Sequence, residues 1–182
     1  MNINNQNANN YLQMKRFVRL VEEKMNSKKR IMFVCHGNIC RSPMAEFIFK
    51  KMIADRGLEE MFEVQSSATS SEEIHNGIGN FCYPPALREL KRHGIPYENR
   101  RAVQLKYEDY EKYDIFVGMD SVNVRNMHKI FGLDKDEKIF KLLDFTSHGG
   151  DIADPWYTYK FDVTYADIYY GCDTLLKALL KK

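Results

Sequence analysis

Apolar residues after position 30 fall into two kinds of stretch. Short runs at residues 31–35, 62–67, 114–119 and 138–143 are long enough for buried strands and too short for helices. Between them lie segments with helical spacing. One opens at Ser42-Pro43, as a cap and a first-turn proline, and is closed by Gly57. Others cover residues 85–93, stopped by Gly94, residues 121–131, and a terminal helix over 162–180. Residues 102–103 predict a further short strand and 106–113 a short helix, while 144–159 reads as a loop. Strands alternating with helices predict an α/β domain, a parallel sheet covered by helices on both faces. There is no internal repeat and no second domain in the pattern.

Upstream of position 30 the pattern changes. Residues 1–10 hold six Asn and almost nothing to bury, which predicts disorder. Tyr11, Met14, Phe17, Val18, Val21 and Met25 then recur at helical spacing, with Lys15, Arg16, Arg19 and Glu22 elsewhere, which predicts a helix over 11–25. Such a stripe usually packs against a protein body or a neighbouring chain. A basic amphipathic helix lying on an anionic membrane surface is the alternative. The expected organisation is a polar, basic arm over 1–29 and one domain over 30–182.

Composition narrows the class. With 182 residues, the chain suits one domain of ordinary size. No run of about 18 apolar residues exists, so no membrane insertion is expected. The polar start lacks the layout of a secretory signal. Four Cys without such a signal point to a reducing, cytoplasmic compartment rather than a disulfide scaffold. A net charge of +2 does not suggest a nucleic-acid partner. Seven of the basic residues, against two acidic ones, lie in the first 30 positions, so a basic arm precedes a mildly acidic body.

The chemistry concentrates where the first strand meets the first helix, at residues 34–43, Val-Cys-His-Gly-Asn-Ile-Cys-Arg-Ser-Pro. A Cys ends the strand, five residues intervene, and an Arg stands at the helix start. Backbone N–H groups at such a turn, from His36, Gly37, Asn38, Ile39, Cys40, Arg41 and Ser42, converge outside the strand end, where the helix dipole adds positive potential. Gly37 and Asn38 tolerate the left-handed conformations that a cradle needs. The place suits a phosphate dianion, and it also favours a thiolate at Cys35. Arg41 offers a planar fork for two phosphate oxygens, and the Ser42 hydroxyl can donate to the sulfur. Cys35 and Cys40 lack the pair spacing of a zinc site, and no Gly-Lys-Ser/Thr nucleotide loop is present, so neither metal nor cofactor is expected.

Residues 35–46, Cys-His-Gly-Asn-Ile-Cys-Arg-Ser-Pro-Met-Ala-Glu, resemble the signature of the low-molecular-weight protein tyrosine phosphatases. Residues 66–70, 78–80, 91–95, 119–123 and the Asp-Pro-Trp-Tyr at 154–157 extend the resemblance over residues 30–182. It implies a flavodoxin-like domain with four parallel strands. It also implies hydrolysis of phosphotyrosine, on a protein or a small aryl phosphate, through a phosphocysteine. By position Cys35 is then the nucleophile, Arg41 the phosphate clamp and Asp154 the general acid. Asn38 and Ser66 fall where the family uses a hydrogen-bond network to hold the loop. His93 falls at a family His, with Glu46 and Asp120 as its expected acidic partners, although it also reads as a polar residue beside a helix-ending Gly. Trp156, Tyr157 and His36 would wall the substrate, and Cys40 is a candidate redox partner for Cys35.

Some positions depart from that pattern. His36 stands where many members have Leu or Thr, Trp156 replaces a frequent Tyr, and residues 72–77 are slightly longer than usual. Two other chemistries share the scaffold. Protein-arginine phosphatases resemble this loop with a Thr at the position of Ile39. Thiol-linked arsenate reductases need further redox Cys on a mobile segment, whereas here only Cys82 and Cys172 remain, far apart in sequence.

Overall fold

The computed structural model describes residues 15–17 and 28–181. Four parallel strands form the sheet: β1 (Lys29–Cys35), β2 (Phe62–Ala68), β5 (Ile115–Gly118) and β6 (Ile139–Lys141), in the order β2-β1-β5-β6. β1 is central and pairs with β2 along its whole length, Lys29 opposite Phe62 and Cys35 opposite Ala68. Alternation along β1 divides the core. Ile31, Phe33 and Cys35 join one apolar cluster, and Met32 and Val34 join the other.

The first face is covered by α1 (Arg41–Ala54), α2 (Pro84–Arg92) and α5 (Phe161–Leu180). α1 lies between sheet and α5, with nine successive residues, 41–49, buried. The other face packs on α3 (Ser121–Phe131) through Met127 and Phe131. Gly171 lets α5 pass close to the end of β6, because a Cβ there would lie 2.6 Å from Leu142 Cγ.

Most predicted elements form within a residue or two, and the departures have local causes. Residues 102–103 make no strand, since the Val103 N–H goes to the Asn38 side chain and the segment touches the sheet through an isolated bridge, Ala68 to Gln104. The predicted helix at 106–113 is one 3-10 turn, Tyr107–Asp109, in which Asp109 turns back onto the Lys106 N–H. A single turn has no length over which to offset helix nucleation. The last strand stops at Lys141 and gives way to a 3-10 turn, Leu142–Phe145. Inside the predicted loop a short helix, α4 (Pro155–Thr158), forms under an Asp154 cap. Residues 72–80 contain an unpredicted hairpin, β3 (Ile74–His75) and β4 (Ile78–Gly79), joined by Asn76 and Gly77, both at positive φ. Asn-Gly is the sequence signal for that turn.

Of the predicted arm, residues 15–17 are helical and rest on the body. Phe17 is fully buried edge-on to Phe140 and Phe145, with ring centroids 5.4 and 4.8 Å apart. Arg16 bonds the Asp134 carboxylate at 3.0 Å and the Glu137 carbonyl at 3.1 Å. The predicted disorder at 1–10 and the rest of the predicted helix at 11–25 lie outside the described residues. No helix among the described residues is long and apolar enough to cross a membrane.

Candidate active site

The chain order reverses at β1, which has β2 on one side and β5 on the other, and the loop at its carboxyl end opens at that switch point. Residues 36–40 form this loop and are tied to their surroundings through their backbone. Thr69 N donates to Cys35 O at 2.9 Å, Ser70 N to His36 O at 3.0 Å, and Tyr83 N to Ile39 O at 2.8 Å. The hairpin abuts it so closely that a Cβ on Gly37 would lie 2.8 Å from Glu73 Cγ.

Cys35 Sγ receives the Ser42 hydroxyl at 3.0 Å and the Asn38 N–H at 3.3 Å. Ser42 therefore does not cap α1, as its sequence position suggests. The helix begins at Arg41, and no side chain caps its start. Its first-turn N–H groups are left for an anion. Asn38 is fully buried in the left-handed region, φ 56°. Its amide nitrogen donates to Ser42 Oγ at 2.9 Å and Ser66 Oγ at 2.8 Å. Its amide oxygen accepts from Val103 N and Arg100 Nη2, each at 3.0 Å.

The Arg41 side chain is almost completely buried, yet its fork reaches two carboxylates, Asp120 and Asp154, each at 2.5 Å, and the Ile152 carbonyl at 3.1 Å. Burial penalises its charge, but Cys35, Asp154 and Asp120 outweigh the penalty and hold the guanidinium above its ordinary value. Asp120 caps α3 through the Asn123 N–H at 2.6 Å, and Asp154 caps α4 through the Trp156 N–H at 3.0 Å. Both carboxylates are thus set by helix starts. The four cysteines are free thiols and buried. Burial, with Cys35 and Asp154 next in importance, pushes the Cys40 thiol well up, and burial pushes Cys82 up to about 11.

Of the expected supporting residues, Ser66, Glu46 and Asp120 lie around the loop, and His93 does not. His93 stacks on Tyr165, 3.8 Å between centroids, and bonds Glu89 at 3.1 Å. It meets neither Glu46 nor Asp120, because it follows the last turn of α2 and faces α5, so its expected pairing is corrected. Glu46 instead accepts from Ser66 Oγ at 2.7 Å, from Lys50 at 2.6 Å and from Arg100. Arg100 escaped sequence reasoning, since it sits in a polar stretch with no motif. At the rim, His36 pairs with Glu72 at 2.9 Å. Trp156 is half exposed and leans on Tyr83, ring centroids 5.0 Å apart, whereas Tyr157 is exposed. Tyr83 was also missed, although an aromatic just before Pro84-Pro85 could have suggested a wall.

Residues 30–182 match the family described as low molecular weight phosphotyrosine protein phosphatase. The chain is 33% identical over 154 residues to the low molecular weight protein-tyrosine-phosphatase YfkJ of Bacillus subtilis, covering 84% of this chain and 96% of that one. It is 36% identical over 163 residues to the low molecular weight phosphotyrosine protein phosphatase of Pongo abelii, covering 86% and 96%. The YfkJ crystal structure superposes with a TM-score of 0.77 at 34% identity, over 84% of this chain and 94% of that one. That of SP-PTP, a low molecular weight protein tyrosine phosphatase from Streptococcus pyogenes, gives 0.73 at 35% identity over 85% and 95%.

Proposed function

This chain belongs to the low molecular weight phosphotyrosine protein phosphatases, and we propose that Cys35, Arg41 and Asp154 divide the work of hydrolysis among them. The observation that carries this reading is the sulfur of Cys35. Two donors point at it, one from the loop and one from the first turn of α1, and Arg41, at the start of that helix, reaches the Asp154 carboxylate at 2.5 Å. A nucleophile, an anion clamp and a proton carrier are therefore within one small volume.

The phosphate dianion of phosphotyrosine enters the ring of loop N–H groups and competes with Asp154 and Asp120 for the Arg41 fork. Displaced from the fork, Asp154 is free to face the phenolic oxygen of the bound substrate. The Cys35 thiolate attacks phosphorus as the bond to the phenolic oxygen breaks, and Asp154 gives that oxygen its proton. Tyrosine leaves and phosphocysteine remains. Asp154, now a carboxylate, takes a proton from water as the water oxygen attacks phosphorus. The P–S bond breaks, inorganic phosphate departs, and the returning thiolate is met by the Ser42 hydroxyl and the Asn38 N–H. Loop amides and Arg41 hold the equatorial oxygens through both steps.

Trp156 and Tyr83 supply an aromatic wall for the substrate ring. A groove of about 580 Å³, lined by His36, Ser70, Gln104 and Lys129 among others, offers room for polypeptide beside the phosphotyrosine. Four unbridged thiols accord with a reducing, cytoplasmic setting. Initial rates on phosphotyrosine, phosphoserine and phosphoarginine peptides, for the parent and Cys35→Ser, test the proposal. Expected is preference for phosphotyrosine with no turnover by Cys35→Ser; preference for phosphoarginine, or an active Cys35→Ser, would overturn it.

A further inference from the structure

We propose that Arg100 is a positioning residue for this reaction: its guanidinium fixes the orientation of the Asn38 amide, and through Asn38 it aims the Ser42 hydroxyl at the Cys35 sulfur. The inference rests on the reading of Cys35 as nucleophile.

Arg100 lies outside every strand and helix, yet its side chain is only 14% exposed. Nη1 donates to Glu46 and, at 2.6 Å, to Ser66 Oγ; Nη2 donates to Asn38 Oδ1 and to the Ser66 carbonyl, both at 3.0 Å. The planar fork thus spans β2, α1 and the phosphate loop at once, and Glu46, 2% exposed, offsets its charge.

The direction of every hydrogen bond follows from that placement. A guanidinium only donates, and so does the Val103 N–H, so the end of Asn38 that meets both must be its oxygen. The amide nitrogen then faces Ser42 and Ser66 and donates to each. A hydroxyl that accepts from Asn38 keeps one proton to give. Ser66 gives its proton to Glu46 at 2.7 Å. Ser42 has Cys35 Sγ at 3.0 Å and, farther off, the Ser67 carbonyl at 3.3 Å. Polarity therefore runs from Arg100 through Asn38 and Ser42 to the sulfur. A guanidinium has no acceptor, so it can meet only the oxygen end of the Asn38 amide. Without Arg100, the Asn38 oxygen would keep one of its two donors, the Val103 N–H, and Ser66 would lose the guanidinium that, with Glu46, holds it as an acceptor for the amide nitrogen. A turned amide would draw the Ser42 proton to its own oxygen and away from the thiolate.

The test compares Arg100→Lys with the parent on a phosphotyrosine peptide, alongside the pH profile of Cys35 alkylation by iodoacetamide. Lys keeps a cation opposite Glu46 but lacks the fork. Losing a charge-assisted donor at the sulfur predicts a fall in kcat of about 10–100-fold. KM should change little, and the alkylation profile should move toward higher pH. In Arg100→Ala combined with Glu46→Gln, which leaves no buried charge stranded, millimolar guanidinium ion should restore part of both losses. Arg101→Ala, whose parent side chain stacks on Phe81 at 3.9 Å, should match the parent. A folded Arg100→Lys or double variant with the parent's kcat and alkylation profile would overturn the proposal. A parent without Cys35-dependent turnover would overturn the functional reading instead, and the alkylation profiles would still decide the role of Arg100.

Discussion

Replacing Phe17 with Ala tests whether the N-terminal arm belongs to the folded body. The ring is fully buried between Phe140 and Phe145, and its neighbour Arg16 pairs with Asp134 at 3.0 Å. Truncating a buried Phe typically costs about 3–5 kcal/mol. That figure has a ceiling here, because the protein can release the arm and keep the sheet, so the loss cannot exceed the free energy of docking. Deleting residues 1–27 measures that ceiling. With a urea m-value of about 2 kcal/mol/M, the full cavity cost corresponds to a midpoint lower by about 1.5–2.5 M. Phe17→Ala should account for most of the deletion's effect, and Arg16→Ala should cost about 1 kcal/mol or less, its pair being partly solvated. The readout is urea denaturation followed by circular dichroism. A Phe17→Ala variant that unfolds at the parent's midpoint would refute the reasoning and leave the arm outside the domain.

Mild peroxide should convert Cys35 to a sulfenic acid that the thiol of Cys40, at the end of the same loop, captures as a disulfide, with release of water. Peptide mapping should find that linkage and thiol reduction should restore activity; irreversible loss with sulfinic Cys35 would contradict it. Burial pushes the Asp151 carboxyl up, but hydrogen bonds from Lys141 at 3.0 Å and Ser121 at 2.8 Å outweigh it and hold it below its ordinary value of 3.8. Its stabilising contribution is therefore complete above that value and lost as pH falls through the lower, folded value. Asp151→Asn should lower the thermal midpoint at neutral pH, and the gap should close in acid; a gap constant with pH would be the contrary result.

Fold and site were legible in the sequence to different depths. Strands β1, β2 and β5 and helices α1, α3 and α5 follow from apolar periodicity, because each buries a face that its own spacing defines. The loop from Cys35 to Ser42 was legible because its chemistry is local, one turn holding sulfur, amides and guanidinium. Arg100 was not. Its partners Ser66, Glu46 and Asn38 lie 34, 54 and 62 positions away, and in the run Asn99-Arg100-Arg101 it reads as solvated surface. His93 offered two readings, a site residue and a polar residue beside the helix-ending Gly94, and it takes the second. Its position beside Gly94 matched a site residue, but the end of α2 turns it toward Tyr165. Ser42 was recognised for both roles open to it, cap and sulfur donor, and only packing around Asn38 chose between them. The Asn76-Gly77 turn carried a usable signal that apolar periodicity alone, over strands of two residues, could not display.

The assignment of Asp154 as proton donor is tested most directly by leaving-group dependence. General-acid assistance is worth ~10²–10⁴-fold and matters in proportion to the basicity of the departing oxygen. Asp154→Ala and the parent are compared by kcat on a series of aryl phosphates, with the absence of a pre-steady-state burst of phenol showing that P–O cleavage limits both. The loss should be large for phosphotyrosine, whose phenol has a pKa of about 10, and small for strongly acidic phenols, so the variant's rates fall more steeply with leaving-group pKa. Equal slopes for the two enzymes would contradict the account and move the proton to Asp144 or Asp151.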